Sequence, residues 1–192
     1  MARVRNSLGP IAGYHGCDRI VAEQVLANKA HLKPSDNSYD WLGSGIYFWV
    51  DSPERGLAWA KDSKKFKKPY VIGAFIIPGL CLNLTDYGVR DEIKFAHSFL
   101  FNYCEVGGVS LPQNDKREKG VFLKRELDCA VIETLHNSRA EFDLPPYDTV
   151  YGVFEEGGSL FDGSGFREKT HVQIAVRNTE CILGYFRVPG YD

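Results

Sequence analysis

The sequence predicts a single α+β domain that spans residues 1–192, and three observations support this fold class. The chain has 192 residues, enough to bury one hydrophobic core without disulfide bridges. Hydrophobic residues make up 44% and charged residues 25% of it, which argues against disorder and against a coiled coil. Strand patterns open and close the chain with helical patterns between them, and this order favours α+β over alternating α/β units.

The first half of the chain is predicted to form strand, helix, loop, strand and helix. Asp18 offers an N-cap oxygen to the first helix, and Ser52 followed by Pro53 is a typical start for the second. A compact aromatic and β-branched run precedes Ser52 and is typical of a buried strand. The predicted bounds are strand 11–16, helix 19–27, loop 28–44, strand 45–50 and helix 53–59.

In the second half, two helices are expected between strands. Leu123, Leu127, Val131 and Leu135 lie four residues apart and predict a helix packed on the core. Ranges 70–78 and 80–84 are predicted to form two strands or one bent strand. The other predicted bounds are helix 89–104, loop 105–119, helix 122–136, strand 149–154, loop 155–165 and strands 171–177 and 181–188. One side of helix 89–104 should face inward, formed by Ile93, Ala96, His97, Leu100 and Phe101.

Charge and cysteine usage limit the classes of partner and compartment. The formal net charge of −2 provides no overall field toward nucleic acid or an anionic membrane, so such a partner needs a local patch. No apolar run has the length of a membrane span and the first residues lack a signal-peptide pattern, so we expect a cytoplasmic protein with no membrane partner. The five cysteines are scattered and are expected to be buried free thiols: Cys17, Cys81, Cys104, Cys129 and Cys181.

A run of lysines follows the helix predicted at 53–59, namely Lys61, Lys64, Lys65, Lys67 and Lys68. Two interpretations stay open: ordinary solvation of a helix end, or a patch that attracts phosphate.

Several common catalytic signals are absent. The chain has neither the glycine-rich fingerprint of a dinucleotide-binding Rossmann unit nor a P-loop. It also lacks H-E-x-x-H and any cysteine or histidine spacing suited to a metal, so no metal site is predicted.

Three separate stretches carry the functional signal. They are Tyr14-His15-Gly16, then Gly43-Ser44-Gly45-Ile46-Tyr47-Phe48, and a serine-initiated helix that ends in an aromatic, Ser52 to Trp59. Together they resemble the H-Y-E class of ADP-ribosyltransferases, the class of poly(ADP-ribose) polymerases and diphtheria toxin. The resemblance implies an ADP-ribosyltransferase-like split antiparallel β-sandwich with peripheral helices, in which NAD, as co-substrate, binds a cleft between two packed sheets.

The resemblance also implies roles for individual residues. His15 would hold the adenine ribose hydroxyl, and the backbone of Gly16 would pair with the nicotinamide amide. Tyr47 would stack on the nicotinamide ring and Trp59 would close its other face, which suits a cationic pyridinium. Ser52 would bond the carboxamide, although an N-cap role explains it equally well.

At the third position of the class, the sequence differs from the usual glutamate. Matching the last two strands places that position at Gln173, whose amide can bind a ribose hydroxyl but cannot take a proton. Polymer synthesis is therefore not expected, and transfer of one ADP-ribose needs a nucleophilic acceptor or another carboxylate as base. The candidate bases are Glu156 and Glu155, followed by Glu133.

His171 lies two residues before Gln173, on the same face of the strand, and either supports a site residue or is exposed; the exposed position is favoured.

The predicted function is that of a mono-ADP-ribosyltransferase. Its acceptor would be RNA or protein, and the resemblance to small stand-alone members implies a toxin or effector with an antitoxin or immunity protein as partner. The alternative is a non-catalytic module that binds NAD or ADP-ribose. An RNA 2′-phosphotransferase, which relies on paired basic residues, is a third and weaker alternative.

Overall fold

The computed structural model describes residues 8–115 and 124–191. Its strands are β1 (Ile11–Asp18), β2 (Ile46–Val50), β3 (Pro69–Ile76), β4 (Cys81–Asn83), β5 (Thr149–Phe154), β6 (His171–Val176) and β7 (Ile182–Arg187). Its α-helices are α1 (Arg19–Leu26), α2 (Pro53–Ala58), α3 (Arg90–Gly107) and α4 (Glu126–Glu141). A π-helical turn, Trp59–Ser63, extends α2, and short 3₁₀ turns occur at Tyr87–Val89 and Thr179–Cys181. The α+β class predicted from the sequence is confirmed.

All seven strands form one hydrogen-bonded sheet, in the order β4-β5-β6-β2-β1-β3-β7. Neighbouring strands are antiparallel except for β4 and β5, which are parallel. The structure thus departs from the expected pair of antiparallel sheets in two respects. The halves remain joined through β1 and β2, and the connection from β4 to β5 passes through two helices, which allows the parallel pairing.

The sheet forks between β1 and β2. These strands pair only at Gly13 with Val50 and at Tyr14 with Trp49, whereas β1 pairs with β3 along eight residues. Beyond Tyr14 the two strands diverge. His15 and Tyr47, two of the residues named from the family resemblance, lie at this fork.

The alternation of side chains along β2 divides the core. Ile46 and Phe48 point into a cluster under α1, while Tyr47 packs against a second cluster under α3 and α4. Trp49, two residues after Tyr47, shares its face of the strand. One face of β2 therefore builds core and the other presents aromatic rings toward α2 and the fork.

Helix α4 begins and ends later than the predicted range 122–136. Its start is held by the side chain of Asn114, whose Oδ1 accepts hydrogen bonds from the backbone N–H groups of Leu127 and Asp128. The helix continues to Glu141 because no glycine or proline interrupts it before Pro145. Leu123, and the end of the loop predicted at 105–119, lie outside the described residues.

Helix α3 was predicted over 89–104, and its inward face is narrower than expected. Ala96 is fully buried and Leu100 is partly buried, but Phe101 is exposed and so is His97. The helix lies at the periphery and packs on α4 along one side. In the described part of the chain, no other element covers the rest of the predicted inward face, so part of it remains exposed to solvent.

The five cysteines are buried free thiols, as predicted. Within the two described ranges, no helix combines the length and apolar character that a membrane crossing requires.

Candidate functional site

A cleft of about 660 Å³ opens at the fork of the sheet. Residues from several separate segments line it, among them His15 on β1, Tyr47 on β2, Trp59 after α2, Glu156 after β5 and Gln173 on β6. The predicted catalytic residues are therefore brought together by the fold, although up to 158 positions separate them along the chain.

His15 bridges the two strands where their backbone pairing ends. Its Nδ1 lies 2.8 Å from the carbonyl oxygen of Tyr47. Because a carbonyl only accepts, Nδ1 carries the proton and Nε2 is left as an acceptor. Burial lowers the pKa of His15, so the imidazole is neutral near pH 7.

Tyr47 contributes its ring to the cleft, while its hydroxyl organises the preceding loop. The hydroxyl donates to the carbonyl oxygen of Gly43 at 2.7 Å and accepts from the backbone N–H of Leu42 at 2.9 Å. Gly43 adopts a positive φ of 75°, a conformation that suits glycine. Burial raises the pKa of Tyr47 far above its usual value, so the hydroxyl stays protonated and acts as a structural anchor.

A second aromatic wall comes from α2 and its π-helical extension. The ring of Trp59 lies 5.4 Å from that of Trp49, and the ammonium group of Lys64 lies 5.3 Å from the centre of the Trp59 ring. Tyr47 and Trp59 line the same cleft from different elements.

Gln173 is held in the middle of the sheet. It lies opposite Trp49 on β2 and opposite Gly152 on β5, so pairing on both sides fixes its backbone. Its side chain is partly exposed and lines the cleft beside the Trp49 ring.

Glu156 lines the cleft and is paired. Its Oε2 accepts from the Nη2 of Arg55 at 2.6 Å, and both side chains are largely shielded, with exposed fractions of 23% and 18%. The guanidinium of Arg55 lies 5.8 Å from the centre of the Trp49 ring. This ion pair fastens the loop after β5 to α2. Glu155, the neighbouring candidate base, is exposed and lies outside the cleft lining.

Gly16 and Ser52 do not line the cleft, in contrast to the cofactor-binding roles expected of them. A Cβ on Gly16 would lie 2.1 Å from the carbonyl oxygen of Gly56, so glycine is required there by the close approach of β1 to α2. Ser52 occupies the N-cap position of α2 without a capping hydrogen bond from its side chain.

Glu133 serves as a structural latch and lies outside the cleft lining. Its Oε1 accepts from the backbone N–H of Ser44 at 2.6 Å and from Arg177 at 2.7 Å. These bonds fasten α4 to the Tyr47 loop and to the end of β6. Burial raises the pKa of Glu133, but the hydrogen bonds from Arg177 and Ser44 lower it by more. Because it lies outside the cleft lining, Glu133 is a weaker candidate for the base than Glu156.

The expectation that His171 is exposed is wrong. Only 7% of it is exposed, and its ring stacks on that of Phe154, directly opposite on β5, at 5.6 Å. Its Nδ1–H donates to the carbonyl oxygen of Lys169, and burial lowers its pKa. Neighbouring rings cover the strand face at this end, which alternation along β6 alone did not indicate.

Several residues of the cleft were given no role from the sequence, among them Trp49, Lys33, Arg55 and Lys169. Only Trp49 had a usable signal, because it lies two positions after Tyr47 on a predicted strand. The other three enter the cleft from a loop, a helix and a loop, where no periodicity marks their direction.

A second cavity of about 670 Å³ lies between α3, α4 and β5. It is mainly apolar, and Leu42, Ile93 and Val131 are among its walls. None of the predicted site residues lines it.

Comparisons with known proteins find one relative along most of the chain but indicate no activity. No family model matches the chain, and no solved structure matches it. An uncharacterized protein of Methanocaldococcus jannaschii is 23% identical over 185 residues, which cover 88% of this chain and 83% of that protein. The residues of the cleft therefore carry the functional evidence.

Proposed function

We propose that this protein is an NAD-dependent mono-ADP-ribosyltransferase with an ADP-ribosyltransferase-like fold. One observation carries the proposal: His15, Tyr47, Gln173, Trp59 and Glu156, which the resemblance or chemistry singled out, line a single cleft. These residues are far apart in the chain and all suit one reaction. A shared functional site explains their position in one cleft better than chance does.

The residues fit the binding of NAD. The neutral imidazole of His15 offers an acceptor at Nε2 to a ribose hydroxyl. The rings of Tyr47 and Trp59 offer π faces to a cationic pyridinium. Lys33 and Lys169 add positive charge for the diphosphate.

The proposed reaction joins an acceptor oxygen or nitrogen to C1 of the ribose that bears nicotinamide. The bond from C1 to the ring nitrogen breaks, nicotinamide leaves as a neutral molecule with the bonding electron pair, and the acceptor loses a proton. Gln173 orients the ribose through its amide but takes no proton. Glu156 is the proposed base, because it is the carboxylate of the candidate set that lines the cleft.

Positioning and electrostatics supply the rate in this proposal. The aromatic walls hold the reacting ring, and the Glu156 carboxylate favours positive charge on the ribose as the nicotinamide bond weakens. Because Gln173 carries no charge, we propose transfer of a single ADP-ribose and no polymer synthesis.

The proposed setting is a cytoplasmic toxin or effector, restrained by an antitoxin or immunity protein. This setting depends on the resemblance to small stand-alone ADP-ribosyltransferases.

One observation favours a second candidate, a module that binds NAD or ADP-ribose without turnover. Glu156 is engaged by Arg55, and in the proposed assignment Gln173 stands where the class has a catalytic carboxylate. Tight binding of NAD without release of nicotinamide, in the presence of cell extract, would support this candidate.

Nicotinamide release distinguishes the two. Purified protein is incubated with NAD, with and without total cell RNA and protein, and nicotinamide is quantified by liquid chromatography. We expect release that depends on one acceptor fraction, falls to background in Tyr47→Ala and rises in Gln173→Glu, which restores a carboxylate. Circular dichroism checks that each variant is folded. Absence of release from the folded wild type with every fraction would contradict the transferase.

A further inference from the structure

The cleft carries an excess of unpaired positive charge. Lys33, Lys64 and Lys169 line it and are exposed, and none of the three forms an ion pair within residues 8–115 and 124–191. The two acids of the lining are engaged: Glu156 is paired with Arg55, and Asp40 accepts from the backbone of Asn37. The local potential is therefore positive although the chain as a whole is slightly acidic.

The positive charge continues beyond the cleft along one segment. Lys64 begins a stretch of exposed lysines, and Lys61 precedes it in the π-helical turn. The only acid within 61–68 is Asp62. The diphosphate of NAD carries two negative charges, so this segment supplies more cations than NAD alone requires. The further exposed lysines are Lys65, Lys67 and Lys68.

Aromatic rings lie among these cations. Tyr39 lines the cleft with 39% of its surface exposed, and the ammonium group of Lys124 lies 5.8 Å from the centre of its ring. Trp59 is paired with Lys64 in the same way. Exposed rings on which bases stack, beside cations that neutralise phosphates, are the combination by which proteins bind single-stranded nucleic acid.

We propose that the acceptor of the transfer is a single-stranded nucleic acid, bound along the rim from Tyr39 to the segment 61–68. The role of the strand as acceptor rests on the proposed function. The strand occupies the rim, and the floor formed by His15, Tyr47, Trp59 and Gln173 is left for NAD, so the two ligands bind together.

Fluorescence anisotropy tests the binding. The probes are fluorescein-labelled oligonucleotides of about 12 nucleotides, as single-stranded RNA, single-stranded DNA and duplex RNA. We expect both single strands to bind more tightly than the duplex, and saturating NAD to leave their affinity within about twofold. The RNA and DNA arms identify the preferred strand.

Matched variants locate the surface. Lys64→Gln combined with Lys67→Gln should weaken binding and reduce the slope of log K against log salt by about 1.4, since each phosphate contact contributes about 0.7. Tyr39→Ala should weaken binding about tenfold through lost stacking. The controls are Lys94→Gln and Tyr103→Ala, an exposed lysine and an exposed tyrosine of α3, and both should leave the affinity unchanged.

The inference would be overturned by absence of binding, by equal loss in control and rim variants, or by displacement of the strand by NAD. Radiolabel from NAD should appear on nucleic acid. Label found only on protein in an extract whose nucleic acid is intact, and still present after nuclease is added, would overturn the nucleic-acid acceptor while leaving the transferase intact. Strand binding without any nicotinamide release would instead overturn the transferase, and the acceptor role with it.

Discussion

The Nδ1–H of His15 donates to the carbonyl oxygen of Tyr47 across 2.8 Å, at the position where β1 and β2 cease to pair. A side chain thus continues a connection that the backbones no longer make. The bond fixes the ring of His15 at the fork, and it fixes which of the two nitrogens carries the proton.

Replacing His15 tests this relationship. His15→Ala removes the donor and leaves the buried carbonyl of Tyr47 unsatisfied, which should lower the free energy of unfolding by about 1–3 kcal/mol. The measurement is urea denaturation, with His31→Ala, an exposed loop histidine, as control. Nitrogen-15 NMR should also find His15 neutral with the proton on Nδ1 at pH 7. A protonated ring at that pH would contradict the assignment.

Tyr47→Phe separates the hydroxyl from the ring. The variant leaves the Gly43 carbonyl and the Leu42 N–H without their partner, and we expect it to destabilise the protein by about 1–3 kcal/mol. Because the ring is kept, NAD affinity should fall less in Tyr47→Phe than in Tyr47→Ala. Thermal denaturation and calorimetric titration with NAD measure the two effects. Equal loss of affinity in both variants would contradict a stacking role, and Tyr103→Phe on exposed α3 is the control.

Glu133 and Arg177 should be coupled energetically without taking part in chemistry. The pair also holds the N–H of Ser44, and its side chains are 32% and 23% exposed. Glu133→Gln should cost about 1–3 kcal/mol of stability, and Arg177→Met should cost less in the Glu133→Gln background than alone. A double-mutant cycle by chemical denaturation measures this coupling. The rate of nicotinamide release at saturating NAD should be unchanged in Glu133→Gln, and a hundredfold loss would favour Glu133 as the base.

Local features of the sequence predicted much of the first half of the fold. The side chain of Asp18 caps α1 as expected, accepting from the backbone N–H of Ile20. The aromatic run forms β2, and its alternation directs Tyr47 toward the cleft and Phe48 into the core. These outcomes depend on residues close together in the chain, where capping and periodicity leave a readable pattern.

Contacts between distant segments could not be predicted in the same way. Arg55 and Glu156 are 101 positions apart, and Ser44 and Glu133 are 89 apart. No periodicity links such pairs. The sequence ranked Glu156 and Glu155 before Glu133, but it could not show that Glu156 lines the cleft or that Glu133 fastens α4 to the Tyr47 loop. Gly16 was assigned to a ligand because tight packing against a helix and close approach to a ligand require the same residue.

His136 should make stability depend on pH. It is buried, and neither ring nitrogen has a hydrogen-bond partner among the described residues. Burial, reinforced by Arg177, lowers its pKa from 6.5 to about 4. Between these values only the unfolded chain takes up the proton, so the free energy of unfolding should fall by about 3 kcal/mol as the pH drops from 6.5 to 4 and level off below.

Denaturation curves of wild type and His136→Leu across this range measure the effect. The His136→Leu variant lacks the titrating group, so its free energy of unfolding should fall by about 3 kcal/mol less than that of the wild type between pH 6.5 and 4. His97→Leu, at an exposed position of α3, should follow the wild type. Parallel curves for wild type and His136→Leu would contradict the assignment.

Equilibrium binding of NAD tests the central claim most directly, because the cleft at the fork must hold NAD whatever the acceptor. Isothermal titration calorimetry is performed with wild type, Trp59→Ala and Gln173→Ala, and with Phe99→Ala on the exposed side of α3 as control. We predict that wild type and Phe99→Ala bind NAD equally, and that both cleft variants bind at least tenfold more weakly while they remain folded. Failure of the folded wild type to bind NAD, or equal affinity in all four proteins, would contradict the assignment of this cleft.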